Sequence, residues 1–260
     1  MFDFHMHSTV SFDGHAAPEQ MLAAARAAGL REICFTDHID DDPQGKILTQ
    51  RFTPESYSAA YDGLRAADVK ICRGMEFGLL PDNQQSLELC HSWREYDFVL
   101  GSIHYADNED VYYPPFWEGK TVLQAERCFL EDTLRCVKVH DGFDVLAHLT
   151  YLSKARHHPT HAPILLDNHR EVVAEIMKVL ISKGKGMEIN TSGVDRCGGY
   201  LPTADYLRLF KELGGKIVTV GSDAHTADRV GQYCFDACQL VKEIFGYVCT
   251  FEKRKPIFHK

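Results

Sequence analysis

The sequence predicts an α/β fold built on a parallel sheet, and two observations support this prediction. Short apolar runs alternate with longer amphipathic segments along most of the 260 residues, in strand-then-helix units. Parallel strands need long crossover connections, which helices usually supply. The hydrophobic content of 45% is enough to bury a sizeable core. A closed barrel and an open doubly wound sheet both satisfy this pattern.

The first three units occupy the N-terminal part of the chain. Their strands are predicted in FDFHM, REICFTDH and VKICRGMEFG. The helix PEQMLAAARAAGL has Pro18 in its first turn and Gly29 at its end, which are typical start and stop signals. The next helices are predicted in PESYSAAYDGLRAAD, which Gly63 weakens, and in QSLELCHSWREY.

Four further units follow. Their strands are predicted in DFVLGSIHY, DVLAHLTY, GMEINTSG and GKIVTVGSDAH, and their helices in TVLQAERCFLEDTLRCVKVH, REVVAEIMKVLISKG, ADYLRLFKELGG and DACQLVKEIFG. A final apolar run, YVCTF, stands near the end of the chain. The aromatic-rich stretch from Tyr105 to Lys120 is predicted as a loop, and long loops in compact domains are usually functional. No repeat or linker divides the chain, so we expect one domain over residues 1–260.

Charge and cysteine usage limit the classes of function. The formal net charge of −9 argues against nucleic acid or an anionic membrane as partner, because both select basic surfaces. The nine cysteines form no CxxC pair, and several lie in apolar runs, as free thiols do in a reducing compartment. Neither a signal peptide nor a membrane-spanning segment is evident, so we expect a cytoplasmic protein. The sequence carries no signal for an oligomeric state.

Imidazoles and carboxylates fall at the ends of the predicted strands. In parallel α/β folds the loops at the carboxyl ends of the strands meet at one rim, where ligands bind. We therefore expect a common site for the strand-end residues, which are His5, His7, His38, Glu76, His104, His148, Asp223 and His225.

The spacing of these residues indicates metal ions. Residues i and i+2 of an extended segment face the same side, so His5 and His7 point together, as do Asp223 and His225. Neutral imidazole and carboxylate suit zinc, iron and manganese. With Asp13 there are nine candidates, more than the four to six ligands of one ion, so at least two metals follow and three fit if ligands bridge. Close-set metals of this kind clamp an in-line phosphoryl displacement.

The other polar residues near these positions have open or simpler interpretations. Adjacent strand residues face opposite sides, so we assign His38 to the site and place Asp37 behind it. His15 is left as a ligand, a donor to a ligand or a surface residue. The segment ARHHPTH is interpreted as a polar loop rather than a weak metal trap, and the histidines expected to be solvated are His91, His140, His169 and His259. No GxSxG, P-loop or GxGxxG motif is present.

These residues resemble the PHP (polymerase and histidinol phosphatase) superfamily over nearly the whole chain. HMHSTVSFDG resembles its first motif, and TDH, MEFG, GSIH, AHLTY and GSDAH resemble the later ones. EINTSG and FEKRKP are similar to the monofunctional histidinol-phosphate phosphatases, whereas VDRCGGYLP departs from the pattern. The resemblance implies a distorted TIM-like (β/α)7 barrel, which agrees with the seven units.

The resemblance also implies a site with three divalent metal ions. One would be held by His5, His7, Glu76 and Asp223, a second by Glu76, His104 and His148, and a third by Asp13, His38 and His225. Of these residues the expected catalytic set is His5, His7, Glu76, Asp223 and His225. Substrate binding is expected from Arg156, Arg196 and Asn190, since arginine donates two parallel hydrogen bonds to phosphate.

The implied activity is that of a histidinol-phosphatase of histidine biosynthesis. A hydroxide that bridges the metals would attack the phosphorus of L-histidinol phosphate and release L-histidinol and phosphate. The first alternative is a PHP-type phosphoesterase that acts on nucleotides, single-stranded DNA ends or other small phosphomonoesters. The second is an amidohydrolase-like metal-dependent hydrolase, although no lysine stands at a predicted strand end to bridge its metals. The third is a zinc-storage or regulatory protein, which would bind metal without turnover.

Overall fold

A computed structural model describes residues 1–45 and 50–260. Among these residues the strands are β1 (Phe2–Met6), β2 (Glu32–Phe35), β3 (His38–Ile39), β4 (Lys70–Gly78), β5 (Phe98–Ser102), β6 (Tyr105–Ala106), β7 (Glu109–Asp110), β8 (Val145–Leu146), β9 (Gly186–Asn190), β10 (Val218–Gly221), β11 (Val248–Glu252) and β12 (Lys255–His259). The α-helices are α1 (Pro18–Ala27), α2 (Pro54–Tyr61), α3 (Gln84–Trp93), α4 (Pro114–Trp117), α5 (Val122–Val139), α6 (Leu166–Ser182), α7 (Val194–Cys197), α8 (Ala204–Glu212) and α9 (Cys234–Phe245).

The strands form a nearly closed parallel barrel. Within the described residues, seven strands follow one another in the order β1-β2-β4-β5-β8-β9-β10, and every neighbouring pair is parallel. The ends of this path meet because Asp223 N donates to His5 O at 2.7 Å and His7 N donates to Ala224 O at 2.9 Å. The predicted (β/α)7 barrel is confirmed, and the open doubly wound alternative is not the fold.

The helices are amphipathic and cover the barrel, as α5 illustrates. Thr121 and Gln124 form a reciprocal cap at its start: Thr121 Oγ1 accepts from Gln124 N at 3.3 Å, and Gln124 Oε1 accepts from Thr121 N at 2.9 Å. Its buried residues recur at helical spacing and face the core, and they include Ala125, Phe129, Leu130, Thr133, Cys136 and Val137.

Three segments differ from the sequence prediction or extend it. The predicted fifth strand is reduced to β8, because His148 N donates to the side chain of Glu188 at 2.9 Å instead of a strand ladder. The stretch from Tyr105 to Lys120 is not all loop, since it contains the hairpin β6–β7 and the short helix α4. The last apolar run, in β11, pairs antiparallel with β12.

The β11–β12 hairpin closes the end of the barrel at which the strands begin. The ring of Phe251 lies 4.8 Å from that of Phe98 at the start of β5, and His259 lies 4.4 Å from Phe2 at the start of β1. The opposite end, where the strands finish, stays open to the site residues. Among residues 1–45 and 50–260, no helix combines the length and apolar character that crossing a membrane requires.

Candidate metal centre

The carboxyl ends of the barrel strands bring the predicted metal-binding residues together. His5, His38 and Glu76 lie in β1, β3 and β4, Asp13 lies in the loop between β1 and α1, and the other residues follow a strand end within a few residues. The inward-facing positions of neighbouring strands therefore deliver imidazoles and carboxylates to one rim. Four overlapping groups at this rim have ligand atoms that all lie within 4.8 Å of one another.

The first group is fully buried and contains the two histidines of the first strand. His5 Nε2 lies 3.0 Å from Glu76 Oε2 and 3.1 Å from His7 Nε2. His7 Nε2 lies 3.3 Å from both Glu76 Oε2 and Asp223 Oδ1. Four donor atoms thus surround one point, which is a suitable arrangement for a divalent cation.

The second group shares Glu76 with the first. The other carboxylate oxygen of Glu76, Oε1, lies 2.9 Å from His148 Nε2 and 3.3 Å from His104 Nε2. Ser102 Oγ donates to the same oxygen at 2.6 Å and fixes the carboxylate. Because its two oxygens face different imidazole pairs, Glu76 is placed to bridge two cations.

The third group lies nearest to solvent. His7, His38 and His225 have ring nitrogens within the 4.8 Å limit, with the His7 ring stacked on both others at centroid distances of 4.3 and 4.2 Å. Asp13 Oδ2 lies 3.1 Å from His225 Nε2 and 3.6 Å from His38 Nε2. Asp13 therefore joins His38 and His225, as the family resemblance implies for a third cation.

The residues present fit divalent metal ions, and unpaired polar atoms support this conclusion. Among the described residues, Asp13 Oδ1 and His148 Nδ1 are buried without a hydrogen-bond partner. A buried polar atom without a partner costs free energy that a bound cation would offset. Nitrogen and carboxylate oxygen donors together are accepted by zinc, iron and manganese alike.

The charges in this cluster are tightly linked. Burial opposes ionisation of Glu76, but the neighbouring His5 and His38 outweigh it and hold the pKa of that carboxyl well below its ordinary value. Burial and the neighbouring His225 and His38 lower the pKa of His7 to about 3. His5 is also desolvated by burial, yet Glu188 and Glu76 raise its pKa well above the ordinary value. Metal binding here would displace protons, because imidazole ligands must be neutral.

A family model described as the PHP domain matches residues 3–192. The chain belongs to the PHP family. The match ends before β10, but the barrel continues beyond it, and Asp223 and His225 follow that last strand.

Relatives of similar sequence match nearly the whole chain. Histidinol-phosphatase from Lactococcus lactis is 33% identical and covers 97% of this chain and 95% of its own. A probable histidinol-phosphatase from Clostridium acetobutylicum is 28% identical and covers 98% of both chains. The crystal structure of the L. lactis histidinol phosphate phosphatase, complexed with zinc, L-histidinol and phosphate, superposes with a TM-score of 0.83 at 29% identity over 98% of both chains.

Two carboxylates that the sequence reasoning missed hold the histidines of this PHP site in place. Glu188 Oε1 lies 2.7 Å from His5 Nδ1, which leaves His5 Nε2 free to face Glu76. Gly221 makes this approach possible, since an added Cβ would lie 2.3 Å from His5 Cβ and 2.4 Å from Glu188 Oε1. Glu188 and Asn190 are two residues apart in β9, so the i, i+2 rule that identified His5 and His7 was the available signal.

The second missed carboxylate is Asp40, which connects two groups of the centre. Its Oδ1 lies 2.8 Å from His104 Nδ1, and its Oδ2 lies 3.1 Å from His38 Nδ1. Gly78 leaves room for it, because an added Cβ would lie 2.0 Å from Asp40 Oδ1. Burial alone would raise the pKa of Asp40, but His104 and His38 lower it to about 2.

Lys154 is a third residue that the sequence reasoning missed. Its ammonium donates to Asp223 Oδ2 and, at 2.8 Å, to Ser192 Oγ. The other oxygen of Asp223 faces His7, so Asp223 separates the metal-binding cluster from this cation. Lys154 belongs to a short 3-10 helix, Tyr151–Lys154, beyond β8. Because Lys154 lies in this turn and not at the end of a strand, the strand-end pattern could not predict it as a site residue.

A cavity of about 510 Å³ lies beside the centre, and the predicted substrate-binding residues differ in their relation to it. Arg196 lines the cavity, whereas Arg156 is exposed and is not among its lining residues. Asn190 is buried and donates to Glu188 Oε2 at 3.1 Å. His15 lines the cavity, and Asp37 lies behind the histidines, where it accepts from Ser8 N and Ser11 Oγ.

Proposed function

We propose that this protein is a histidinol-phosphatase, which hydrolyses L-histidinol phosphate to L-histidinol and phosphate with the help of divalent metal ions. One observation carries the proposal: four overlapping ligand groups meet beside a cavity in a chain whose full-length relatives are named histidinol-phosphatase or probable histidinol-phosphatase. An amidohydrolase-like site usually has a lysine that bridges its metals, and the described residues, 1–45 and 50–260, give no support for one. Lys154 contacts Asp223 and Ser192 and does not bridge the groups.

The metal assignment uses three of these groups, with Asp13 in place of His7 in the third. We propose one ion between His5, His7, Glu76 and Asp223, a second between Glu76, His104 and His148, and a third between Asp13, His38 and His225. Zinc, iron or manganese in these positions would neutralise phosphate charge and supply an activated water for attack at phosphorus. The catalytic set is therefore His5, His7, Glu76, Asp223 and His225.

We propose that the chain's own cations bind the phosphate. Lys154 and Arg196 line the cavity next to Asp223, so a phosphate there would accept hydrogen bonds from an ammonium and a guanidinium. These charges stabilise the negative charge on the equatorial oxygens of phosphorus as the ester bond breaks. Hydrolysis adds one water oxygen to phosphorus, and histidinol leaves as an alcohol after its oxygen gains a proton.

The positioning carboxylates set the direction of each imidazole. Glu188 accepts from Nδ1 of His5, and Asp40 accepts from Nδ1 of His104, so in both rings Nε2 is the nitrogen that faces Glu76. An imidazole fixed in one tautomer and orientation is a stronger ligand. Asn190 acts through Glu188 in this arrangement.

The whole chain is proposed to act as one PHP-type metallohydrolase domain over residues 1–260. Support comes from the barrel closure, which joins β1 to the residues after β10 and brings Asp223 next to His5. A small phosphomonoester fits the acidic chain better than a nucleic-acid polymer, which would need a basic surface. All nine cysteines are free, which supports a cytoplasmic location.

The direct test compares substrates and metals. Purified protein loaded with zinc, manganese or iron should release phosphate from L-histidinol phosphate faster than from AMP or from an oligonucleotide with a terminal phosphate. The double variant H5A/H7A should lose bound metal, by elemental analysis, and turnover together. Equal metal content and turnover in that variant, or a preference for AMP, would contradict the proposal.

A further inference from the structure

The loop after β1 turns back against the metal centre and brings a buried hydroxyl to it. Ser11 N donates to Ser8 O at 3.0 Å, which closes a turn directly after His7. Gly14 lets the chain fold this tightly, because an added Cβ would lie 1.7 Å from Ser8 O. The side chain of Ser11 is buried, and its Oγ lies 3.2 Å from His7 Nδ1. The turn therefore places this hydroxyl on the ring nitrogen of His7 that does not face Glu76.

The hydrogen bonds of Ser11 determine which nitrogen of His7 carries the proton. A serine hydroxyl donates one hydrogen bond and can accept two. Ser11 Oγ donates to Asp37 Oδ1 at 3.1 Å, since a carboxylate only accepts, and it accepts from His38 N at 2.9 Å. One acceptor position of the hydroxyl is then left for His7, so Nδ1 of His7 must be the donor. The other nitrogen, Nε2, is left unprotonated, and it is the one that faces the first ligand group.

Asp37 holds the Ser11 hydroxyl in this orientation from a fully buried position. Its Oδ1 also accepts from Ser8 N at 2.8 Å, and its Oδ2 accepts from the hydroxyl of Tyr61 in α2. Hydrogen bonds to a carboxylate are about twice as strong as those between neutral groups. The Ser11 proton is therefore directed at Asp37 and not at His7.

We propose that Ser11 is a positioning residue, which fixes His7 as the tautomer whose Nε2 can bind a metal ion. The inference rests on the proposed function and its metal assignment, in which His7 holds the first ion. The same hydroxyl oxygen accepts from the backbone of His38, so it also ties the first ligand group to the third. His5 and His104 are oriented by a carboxylate directly, whereas His7 is oriented through a hydroxyl.

The test compares S11A with S11T and S8A in the zinc-loaded protein. S11A removes the acceptor of the His7 proton, so zinc should be released at a chelator concentration about 10- to 100-fold lower than in the wild type. S11T keeps a hydroxyl and should restore most of the resistance to the chelator. S8A is the matched control, because Ser8 is also buried and its hydroxyl contacts Tyr61 and Asp37 rather than an imidazole. It should release zinc as the wild type does.

A second measurement reports the tautomer itself. In protein made with histidine that carries nitrogen-15 only at Nδ1, each slowly exchanging Nδ1 proton gives a downfield N–H signal in the NMR spectrum. S11A should lose one of these signals, and S11T and S8A should keep all of them. D37N, which keeps the shape of the acceptor but not its charge, should keep the signal and lower the resistance to the chelator less than S11A does.

The outcomes separate this inference from the proposed function, because neither measurement uses phosphate release. An S11A protein with every wild-type signal and wild-type resistance to the chelator would overturn the inference and leave the proposed function in place. Equal zinc release from S11A and S8A would do the same, since the hydroxyl would then act only through packing. A wild type that takes up no zinc would contradict the proposed function, and this inference with it.

Discussion

Two buried groups of histidines and acids in this molecule have similar compositions and different geometries. The metal centre gathers side chains from strand ends, and each ligand atom has several others within 4.8 Å. The second group, Glu126, His158 and His169, lies where the loop after β8 meets α5 and α6. There His169 Nε2 lies 2.7 Å from Glu126 Oε2, and His158 Nε2 lies 3.9 Å from Glu126 Oε1.

The two groups differ in how many of their ligand atoms point at the same place. In the second group one carboxylate stands between two imidazoles, each facing a different oxygen, and all three side chains are buried away from the cavity lining. In the metal centre each single oxygen of Glu76 lies near two imidazoles: Oε1 is within 3.3 Å of His104 and His148, and Oε2 is within 3.3 Å of His5 and His7. Residue type and burial are therefore not enough to define a metal site. At least three donors must point at the same place.

The largest expected effect tests the bridging residue of the metal centre. E76Q keeps the size of the side chain but removes the charge that two ligand groups share. We expect loss of at least two metal ions and a decrease in phosphate release of about 1000-fold or more, because charge stabilisation by such ions amounts to several kcal/mol. Elemental analysis and a phosphate-release assay measure both quantities.

The matched control for this variant is E126Q, the same substitution in the second group. It should keep the wild-type metal content and turnover. If E126Q lost metal as E76Q does, the distinction between a convergent centre and a packing cluster would be wrong.

The next effect concerns the cation beside the centre. K154M removes the ammonium that contacts Asp223 and Ser192 and keeps most of the aliphatic chain. We expect kcat/KM for L-histidinol phosphate to fall by about 100-fold through the lost charged hydrogen bond to phosphate. The metal content should stay close to that of the wild type, since Lys154 is not a ligand.

K178M, on the exposed face of α6, is the control and should behave as the wild type. A metal loss in K154M equal to that in E76Q would show that Lys154 acts on the cluster rather than on the substrate.

A smaller effect is expected from the positioning carboxylate Glu188. E188Q can no longer accept a charged hydrogen bond from His5 Nδ1, so the imidazole loses its fixed orientation. Loss of such a partner typically lowers metal affinity or activity about 10- to 100-fold. Titration with a chelator should therefore remove metal from E188Q at a lower chelator concentration than from the wild type. Equal resistance of the two proteins would contradict the positioning role of Glu188.

The sequence pattern was enough to identify the residues at the carboxyl ends of the strands, because that pattern depends only on strand periodicity and strand direction. His5 and His7 share a face by the i, i+2 rule, and Asp223 and His225 repeat it. Seven strand-then-helix units were enough to predict the barrel, since parallel strands require crossovers. The structure brings the nine predicted residues together, and their role as ligands stays a prediction.

Tertiary packing decided the features that the sequence did not reveal. The prediction that His140 and His169 are solvated is wrong, because both are buried. His140 Nε2 hydrogen-bonds to Leu80 O at 2.7 Å, and His169 meets Glu126 on a neighbouring helix. A helical pattern shows which residues share a face, but not which neighbour covers that face. Lys154 was missed for the same reason, since its place depends on how the turn after β8 folds back towards β10.

The smallest effect on activity and a clear effect on stability are expected at Glu126. Thr160 N and His161 N donate to His158 Nδ1, so the proton of His158 sits on Nε2 and faces Glu126. Burial alone would raise the pKa of the Glu126 carboxyl, but His158 and His169 outweigh it and lower the pKa. E126Q should lose about 1–2 kcal/mol of unfolding free energy, which corresponds to roughly 3–6 °C in Tm for a chain of this size.

The pH dependence of this loss distinguishes a charged contact from simple packing. A carboxyl whose pKa is lower in the folded protein than in the unfolded chain stabilises the fold above the unfolded pKa, near 4.5. That stabilisation disappears as the pH falls through the lower, folded value. The Tm difference between the wild type and E126Q should therefore be constant near neutral pH and shrink below about pH 4.5, as thermal melts followed by circular dichroism can measure. A difference that stays constant down to pH 3 would mean that Glu126 acts through its shape, and the second group would then owe nothing to its charges.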